Sequence, residues 1–410
     1  MLKPSNIFLL AAWGALCVFL LPTLSVARCE TKDAELQKLR DVFKKETAEA
    51  AIVGSSLIVT SINNIICEQH LGSANLTGGQ KISRETIYHW ASNTKPFAGI
   101  AIMQLRDRGL LKLDDPVTKY LPELRKIHNS FGSMDDITIK HLLTHSGGFR
   151  NGTWPWRNNK PWEPFEPKEY SQLVAMYPFT EILFKPGSKY SYSNPAIIYL
   201  GRIIETLAGE DYEVYVDKNI LRPLKMFDSY FDTTPRHLLD RRSHSYYIED
   251  GKRTEGVFDA DTGITVSNSG LNSPLSDMVK YLAFLTGDPQ HQQAYDNILK
   301  RSSLEEMWQP QLPAKLDANG NPGFTTDIGL IYFLNRTGDR TYIGHGGDQN
   351  GFISYLQFEP ATRTASLVIS NTTIVNSGTT PPENDHVGRI RQTINNYFES
   401  IKIKQGNLKQ

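Results

Sequence analysis

The stretch after Gly323 constrains this chain most. It reads as strands in succession, DIGLIYFLN, RTYIGHGG, FISYLQFEP and TASLVISN, joined by loops short enough for antiparallel hairpins. A helix follows, NDHVGRIRQTINNYFESI, with Val387, Ile390, Ile394 and Phe398 on one face. The opposite end repeats the theme. DAELQKLRDVFKKETAEA, from Asp33 to about Ala50, has apolar residues at helical spacing, and IVGSSLIVTS and IICEQHLG read as strands joined across INN. A sheet must bury its apolar faces, so the two ends are expected to form one antiparallel sheet flanked by the terminal helices. Between them, from Pro96 to about Leu285, helix signals dominate. The predicted fold is α/β (α+β), an antiparallel sheet flanked by helices with a mainly helical region inserted. It forms a single catalytic domain over 28–410, the α/β part covering about 33–100 plus 323–402 and the helical part about 101–322.

Charge narrows the partners. Lys plus Arg equals Asp plus Glu at 44 each, and no polybasic block occurs, so no single-sign field is available to hold a nucleic-acid backbone. Residues 1–27 read as a signal peptide: MLKPSN, the apolar run IFLLAAWGALCVFLLPTL, then SVA with small residues where a signal peptidase cuts. The expected location is secreted or periplasmic, with membrane contact only if this run is retained as an anchor. Removal of the leader takes Cys17 with it and leaves Cys29 and Cys67, which in an oxidising compartment either pair or stay free thiols. Asn-x-Ser/Thr sequons stand at Asn75, Asn151, Asn335 and Asn371.

Three stretches carry chemistry. In HWASNTKPFAG, Ser92 and Lys95 are one helical turn apart at the head of an apolar segment. The amine can then reach the hydroxyl and take its proton, if burial lowers its pKa. In PGSKYSYSNPAIIYLGRIIE, Tyr192 can relay a proton and Asn194 can bridge amine and substrate; the plainer reading is an N-cap beside a packed tyrosine. In YIGHGGDQNGF, His345 to Gly347 end a strand whose glycines allow close approach of a substrate and whose N–H groups can bind an oxyanion; the plainer reading is a Gly-rich turn. His141 and His145 in KHLLTHSGG have the i, i+4 spacing of a metal pair, but lack the glutamate of H-E-x-x-H and are read as structural. No G-x-S-x-G occurs, and VSNSG around Ser267 to Gly270 is read as a loop. Trp154, Trp156, Trp162 and Phe165 sit in the long loop Arg150 to Pro167, where they either line the cleft or pack the loop down.

Taken in order, Ser92-Asn93-Thr94-Lys95, Tyr192-Ser193-Asn194 and His345-Gly346-Gly347 resemble the S-x-x-K, Y-x-N and K/H-x-G elements of the penicillin-recognising serine hydrolases. The resemblance is to the branch of class C β-lactamases, D-alanyl-D-alanine carboxypeptidases and related esterases. GLLKLDDPVTKYLPE, ITIKHLLTHSGGF, LRPLKMFDS and SGLNSPLSDMVKYL extend it, from about Asp33 to Ile401. The resemblance implies a β-lactamase/transpeptidase-like fold and an acyl-enzyme at Ser92. Lys95 and Tyr192 would handle the proton, Asn194 would hold Lys95 and the substrate amide, and the N–H groups of Ser92 and Asp348 would form the oxyanion hole beside Gly347. It implies a small-molecule or peptide substrate and neither metal nor cofactor. One departure matters: β-lactamases of this branch carry lysine where this chain has His345, a side chain mostly neutral at pH 7. No E-x-x-L-N element is present either. The expected function is therefore an exported serine hydrolase of the esterase or D-amino-acid peptidase type. The alternatives are a class C-like β-lactamase and a penicillin-binding sensor that acylates without turnover.

Overall fold

The structure is a computed structural model that describes residues 33–62, 64–152, 167–314, 325–375 and 386–407. The expected leader, Cys29 and the tryptophan loop with Trp154, Trp156, Trp162 and Phe165 lie outside the described residues. Among the described residues no helix is long and apolar enough to cross a membrane.

Helix α1 (Ala34–Glu49) starts where the Asp33 side chain accepts the Glu35 N–H and caps the first turn. Strands β1 (Gly54–Ser61), β2 (Asn64–Asn75) and β3 (Gln80–Lys81) follow. The remaining strands of the main sheet come from the other end of the chain. They are β4 (Leu312–Pro313), β5 (Asp327–Ile328), β6 (Phe333–Thr337), β7 (Arg340–Gln349), β8 (Phe352–Glu359) and β9 (Thr364–Ser370). Their order is β3-β2-β1-β9-β8-β7-β6-β5-β4, antiparallel throughout. The two ends of the chain therefore meet in the middle of one sheet, at the β1–β9 pairing.

Side-chain alternation then makes two cores. Leu57 and Val59 of β1 face α1 and the last helix (His386–Asn407), joining Leu39, Phe43, Val368, Ile394 and Phe398. Ile58, between them, faces the other way, into the large core built with the helical middle. The Arg340 guanidinium forms a buried ion pair with Glu359 while its Nη1 donates to the Phe398 carbonyl at 2.6 Å, pinning the last helix to the sheet. Cys67 of β2, fully buried in the α1 core, is disulfide-bonded to a partner outside the described residues.

One expectation needs correction. DIGLIYFLN is not one strand, because it breaks between β5 and β6. There Ile331 takes φ +74° and donates its N–H to the Leu143 carbonyl at 2.7 Å. Tertiary contact overrides β propensity at that point. The mainly helical middle carries two short strands as well, Tyr230–Phe231 and Leu271–Pro274, which pair with Ile87–His89 in a small sheet. Of the sequons, Asn371 is fully buried and donates to the Ser73 carbonyl and Ser243 Oγ, so it offers no glycosylation site.

Candidate active site

Ser92 sits in a 3-10 turn, Ala91–Thr94, that leads into helix α2 (Lys95–Asp107). Ala91 enters the turn with φ +48°, a conformation that costs free energy outside glycine and persists only where neighbours over-determine it. They do so from two sides. Trp90 Nε1 donates to the Ser273 carbonyl at 2.9 Å and the Leu271 N–H donates to Thr94 Oγ1 at 3.0 Å, fixing the turn to the small sheet. On the other side Asn93 Nδ2 donates to Ser354 Oγ at 2.8 Å, fixing it to β8.

Lys95 is fully buried. Its Nζ donates to Ser92 Oγ at 2.8 Å and to the Asn268 carbonyl at 3.0 Å, and lies 5.0 Å from the centre of the Tyr192 ring. Burial holds its pKa well below the usual lysine range, and no carboxylate among the described residues opposes that. A neutral amine beside the hydroxyl is what a base must be. The Tyr192 phenol, hydrogen-bonded to Ser92, is pushed up by burial and stays protonated, a proton carrier rather than a phenolate.

The third stretch arrives on β7. Its residues from His345 onward pair with β8 alone, because the β6 pairing ends at Gly344. The other edge passes the serine turn so closely that a Cβ on Gly347 would stand 3.1 Å from Ser92 N. His345 is buried, with Nδ1 donating to the Gly346 carbonyl at 2.6 Å. Burial first, and the Lys95 charge second, push its pKa down to about 3. It is a neutral lining residue, stacked near Phe333 at 4.8 Å between ring centres, and presents no cation. Ser92, Tyr192, Asn194, Phe333, His345 and Gly347 line one cavity of about 390 Å³, room enough for a small acyl group and its leaving group. Asp348 and Arg391 complete its far side, the guanidinium lying 3.7 Å over the Tyr355 ring.

Asn194 departs from expectation. It opens helix α4 and turns its Nδ2 toward Asn151 Oδ1 at 3.5 Å, not toward Lys95. Here α4 is Asn194–Ala208, preceded by α3 (Ile139–Leu143). The second partner of Lys95 is instead the Asn268 carbonyl, on a helical turn, Val266–Ser269, where a loop was expected. A backbone carbonyl has no side-chain signature, so nothing in the sequence could single it out. The histidine pair also separates. His141 Nδ1 accepts the Thr138 N–H within a capping box, while α3 ends at Leu143, before His145. The i, i+4 argument fails for want of a helix.

The buried amine has a stability consequence. The unfolded chain binds a proton on Lys95 up to its ordinary pKa of 10.5, and the folded chain releases it below that, so stability rises with pH across the interval and falls as pH drops. Lys95→Met is expected to unfold at higher temperature than the parent, by about a few degrees at pH 7 and by nothing near pH 10.5. Thermal unfolding of both proteins across that range checks the sign.

Comparison with known proteins follows from this geometry. The β-lactamase family model matches residues 39–385. "Protein flp" of Staphylococcus aureus (strain MW2) is 24% identical over 347 residues, covering 83% of this chain and 64% of its own length. Esterase EstB of Burkholderia gladioli is 32% identical over 206 residues, 47% of this chain and 51% of the esterase. The chain thus spans less than two thirds of the length of these curated relatives. Among solved structures, the octameric penicillin-binding protein homologue from Pyrococcus abyssi superposes with a TM-score of 0.69 at 25% identity, over 82% of this chain and 74% of its own.

Proposed function

Since this chain belongs to the β-lactamase family of serine hydrolases, we propose that it hydrolyses an uncharged ester or amide through an acyl-enzyme at Ser92. One observation carries the reading: the buried Lys95 amine, neutral by desolvation, lies 2.8 Å from Ser92 Oγ. Its lone pair takes the hydroxyl proton along that contact as Oγ bonds to the substrate carbonyl carbon. The N–H groups of Ser92 and Asp348 receive the developing oxyanion, where one such donor contributes a factor of about 100 or more. Tyr192, hydrogen-bonded to Ser92, hands its proton to the leaving group as the carbon–heteroatom bond breaks and takes up the proton that Lys95 removed, so that phenol and neutral amine are both restored. Water then repeats the sequence in reverse, with Lys95 again the base, and releases the acid. Asn194, on the cavity wall, is free to meet the substrate amide.

Substrate class follows from the strand position beside the serine, the Arg391 guanidinium on the far side of the cavity lying over the Tyr355 ring. The strand position that would offer a carboxylate a lysine holds a neutral, buried His345, which disfavours β-lactams and D-alanine termini relative to neutral acyl esters. The esterase named among the relatives supports the same side. An extracytoplasmic location belongs to this reading, supported by the leader-like N-terminus and by the disulfide of Cys67. The test is a panel of p-nitrophenyl esters, D-alanyl peptides and nitrocefin on the purified protein. Short-chain esters are expected to exceed nitrocefin in kcat/KM by about 100-fold or more, the scale of a lost charged contact. Nitrocefin as the best substrate would reverse the ranking, and a lasting adduct without product would make the protein a binder.

A further inference from the structure

Tyr192 is held by a residue outside the three motifs. His145 follows α3 with φ +51°, in the left-handed region. Its carbonyl accepts the Ser191 N–H at 2.8 Å, and its Nδ1 accepts the Ser193 N–H at 3.1 Å. These two donors flank Tyr192, so a single residue grips the loop on either side of the phenol. Ser193 is the N-cap of α4, its Oγ accepting the Ala196 N–H at 3.2 Å. The cap's own N–H falls outside the helix ladder and needs an external acceptor, which the imidazole supplies. The ring of His145 also stacks on the ring of Tyr192, centres 4.6 Å apart at 27°. Its side chain is buried, 1% exposed.

The tautomer follows from the hydrogen bond. With Nδ1 accepting, the ring hydrogen sits on Nε2, which is buried and has no hydrogen-bond partner among the described residues. That arrangement costs free energy where phenylalanine would pack without it. The site retains a ring that both stacks on Tyr192 and accepts from the neighbouring backbone.

We propose that His145 is the positioning residue of the active site, fixing the Tyr192 phenol in depth and orientation against Ser92 and Lys95 through the Ser191 and Ser193 bonds and the ring stack. The role rests on Ser92 as nucleophile and Tyr192 as proton carrier. It acts on turnover and not on substrate capture, because His145 is not among the residues lining the cavity.

Three variants separate its parts. His145→Phe keeps the stack and loses the Ser193 acceptor. His145→Asn keeps an acceptor near the place of Nδ1, tolerates the left-handed backbone and loses the ring. His145→Ala loses both. The readouts are kcat and KM on a p-nitrophenyl ester, per site titrated with a fluorophosphonate. The alanine variant is expected to lose about 100-fold in kcat per titrated site, the scale of a small misplacement of a catalytic group, with KM within about threefold. The asparagine variant is expected to recover most of that loss. If alanine and phenylalanine variants fail to fold, His145→Asn against His145→Gln decides, since the longer amide overshoots Ser193. Equal kcat per site in parent and variants, or in Asn and Gln, overturns the proposal, because a purely structural role lowers the titratable fraction alone. A parent protein that takes no label at Ser92 overturns the reading of the site itself, and the positioning role with it.

Discussion

Ser92→Ala is expected to lower kcat by about 10⁴-fold or more while leaving the fold intact, and to abolish fluorophosphonate labelling. The size follows from what the hydroxyl does. Without Oγ no acyl-enzyme forms, and the oxyanion donors are left to act on a water that nothing positions. Lys95→Ala is expected to cost nearly as much, since the amine has no substitute: burial pushes the pKa of the nearby histidines, His145 and His345, far down and leaves them weak proton acceptors. The double variant should be scarcely worse than either single one, because nucleophile and base act as a unit. Steady-state rates on a p-nitrophenyl ester with intact-mass detection of the adduct measure all three. A Ser92→Ala protein that keeps more than a few per cent of parental turnover would remove the serine from the mechanism.

The second large effect concerns two adjacent glycines, of which only Gly347 falls on the G of the K/H-x-G element. A Cβ on Gly347 would meet the Trp90 carbonyl at 2.4 Å, a backbone contact that cannot yield, and the Ser354 side-chain Oγ at 2.7 Å. On Gly346 the nearest neighbour would be the Ser354 carbonyl at 3.7 Å, an ordinary contact. Gly347→Ala is therefore expected to push β7 off the serine turn and cost about 100-fold or more in kcat, the scale of one lost oxyanion donor. Gly346→Ala should stay within about threefold of the parent. Equal effects at the two positions would show that the strand's approach to Ser92 does not govern the rate.

Much of this was legible from the residues. Alternating apolar positions and short loops mark the hairpins after Gly323, because period two and turn chemistry are local properties. The terminal helices are legible for the same reason, and Ile394 and Phe398 pack as their spacing predicts. What escaped is set by tertiary contact. Ile331 leaves the strand because the Leu143 carbonyl claims its N–H. Lys95 finds a backbone carbonyl where a side-chain amide was expected. The neutrality of His345 is only half written in its identity; the rest comes from burial beneath the cavity. The sequence offers His145 only as the i, i+4 partner of His141 and, for want of an H-E-x-x-H glutamate, as structural; that spacing carries no information once α3 has ended.

The pairing at the centre of the sheet also governs when the protein can exist. Ser55 of β1 meets Ser370 of β9, a separation of 370 − 55 = 315 residues. At roughly 5–20 residues per second of synthesis, β1 waits roughly 15–60 s for its partner. During that wait a strand that is buried in the finished protein presents an open edge. The sheet therefore stays unfinished until the segment Thr364–Ser370 has emerged, and any truncation before Thr364 leaves β1 paired with β2 alone.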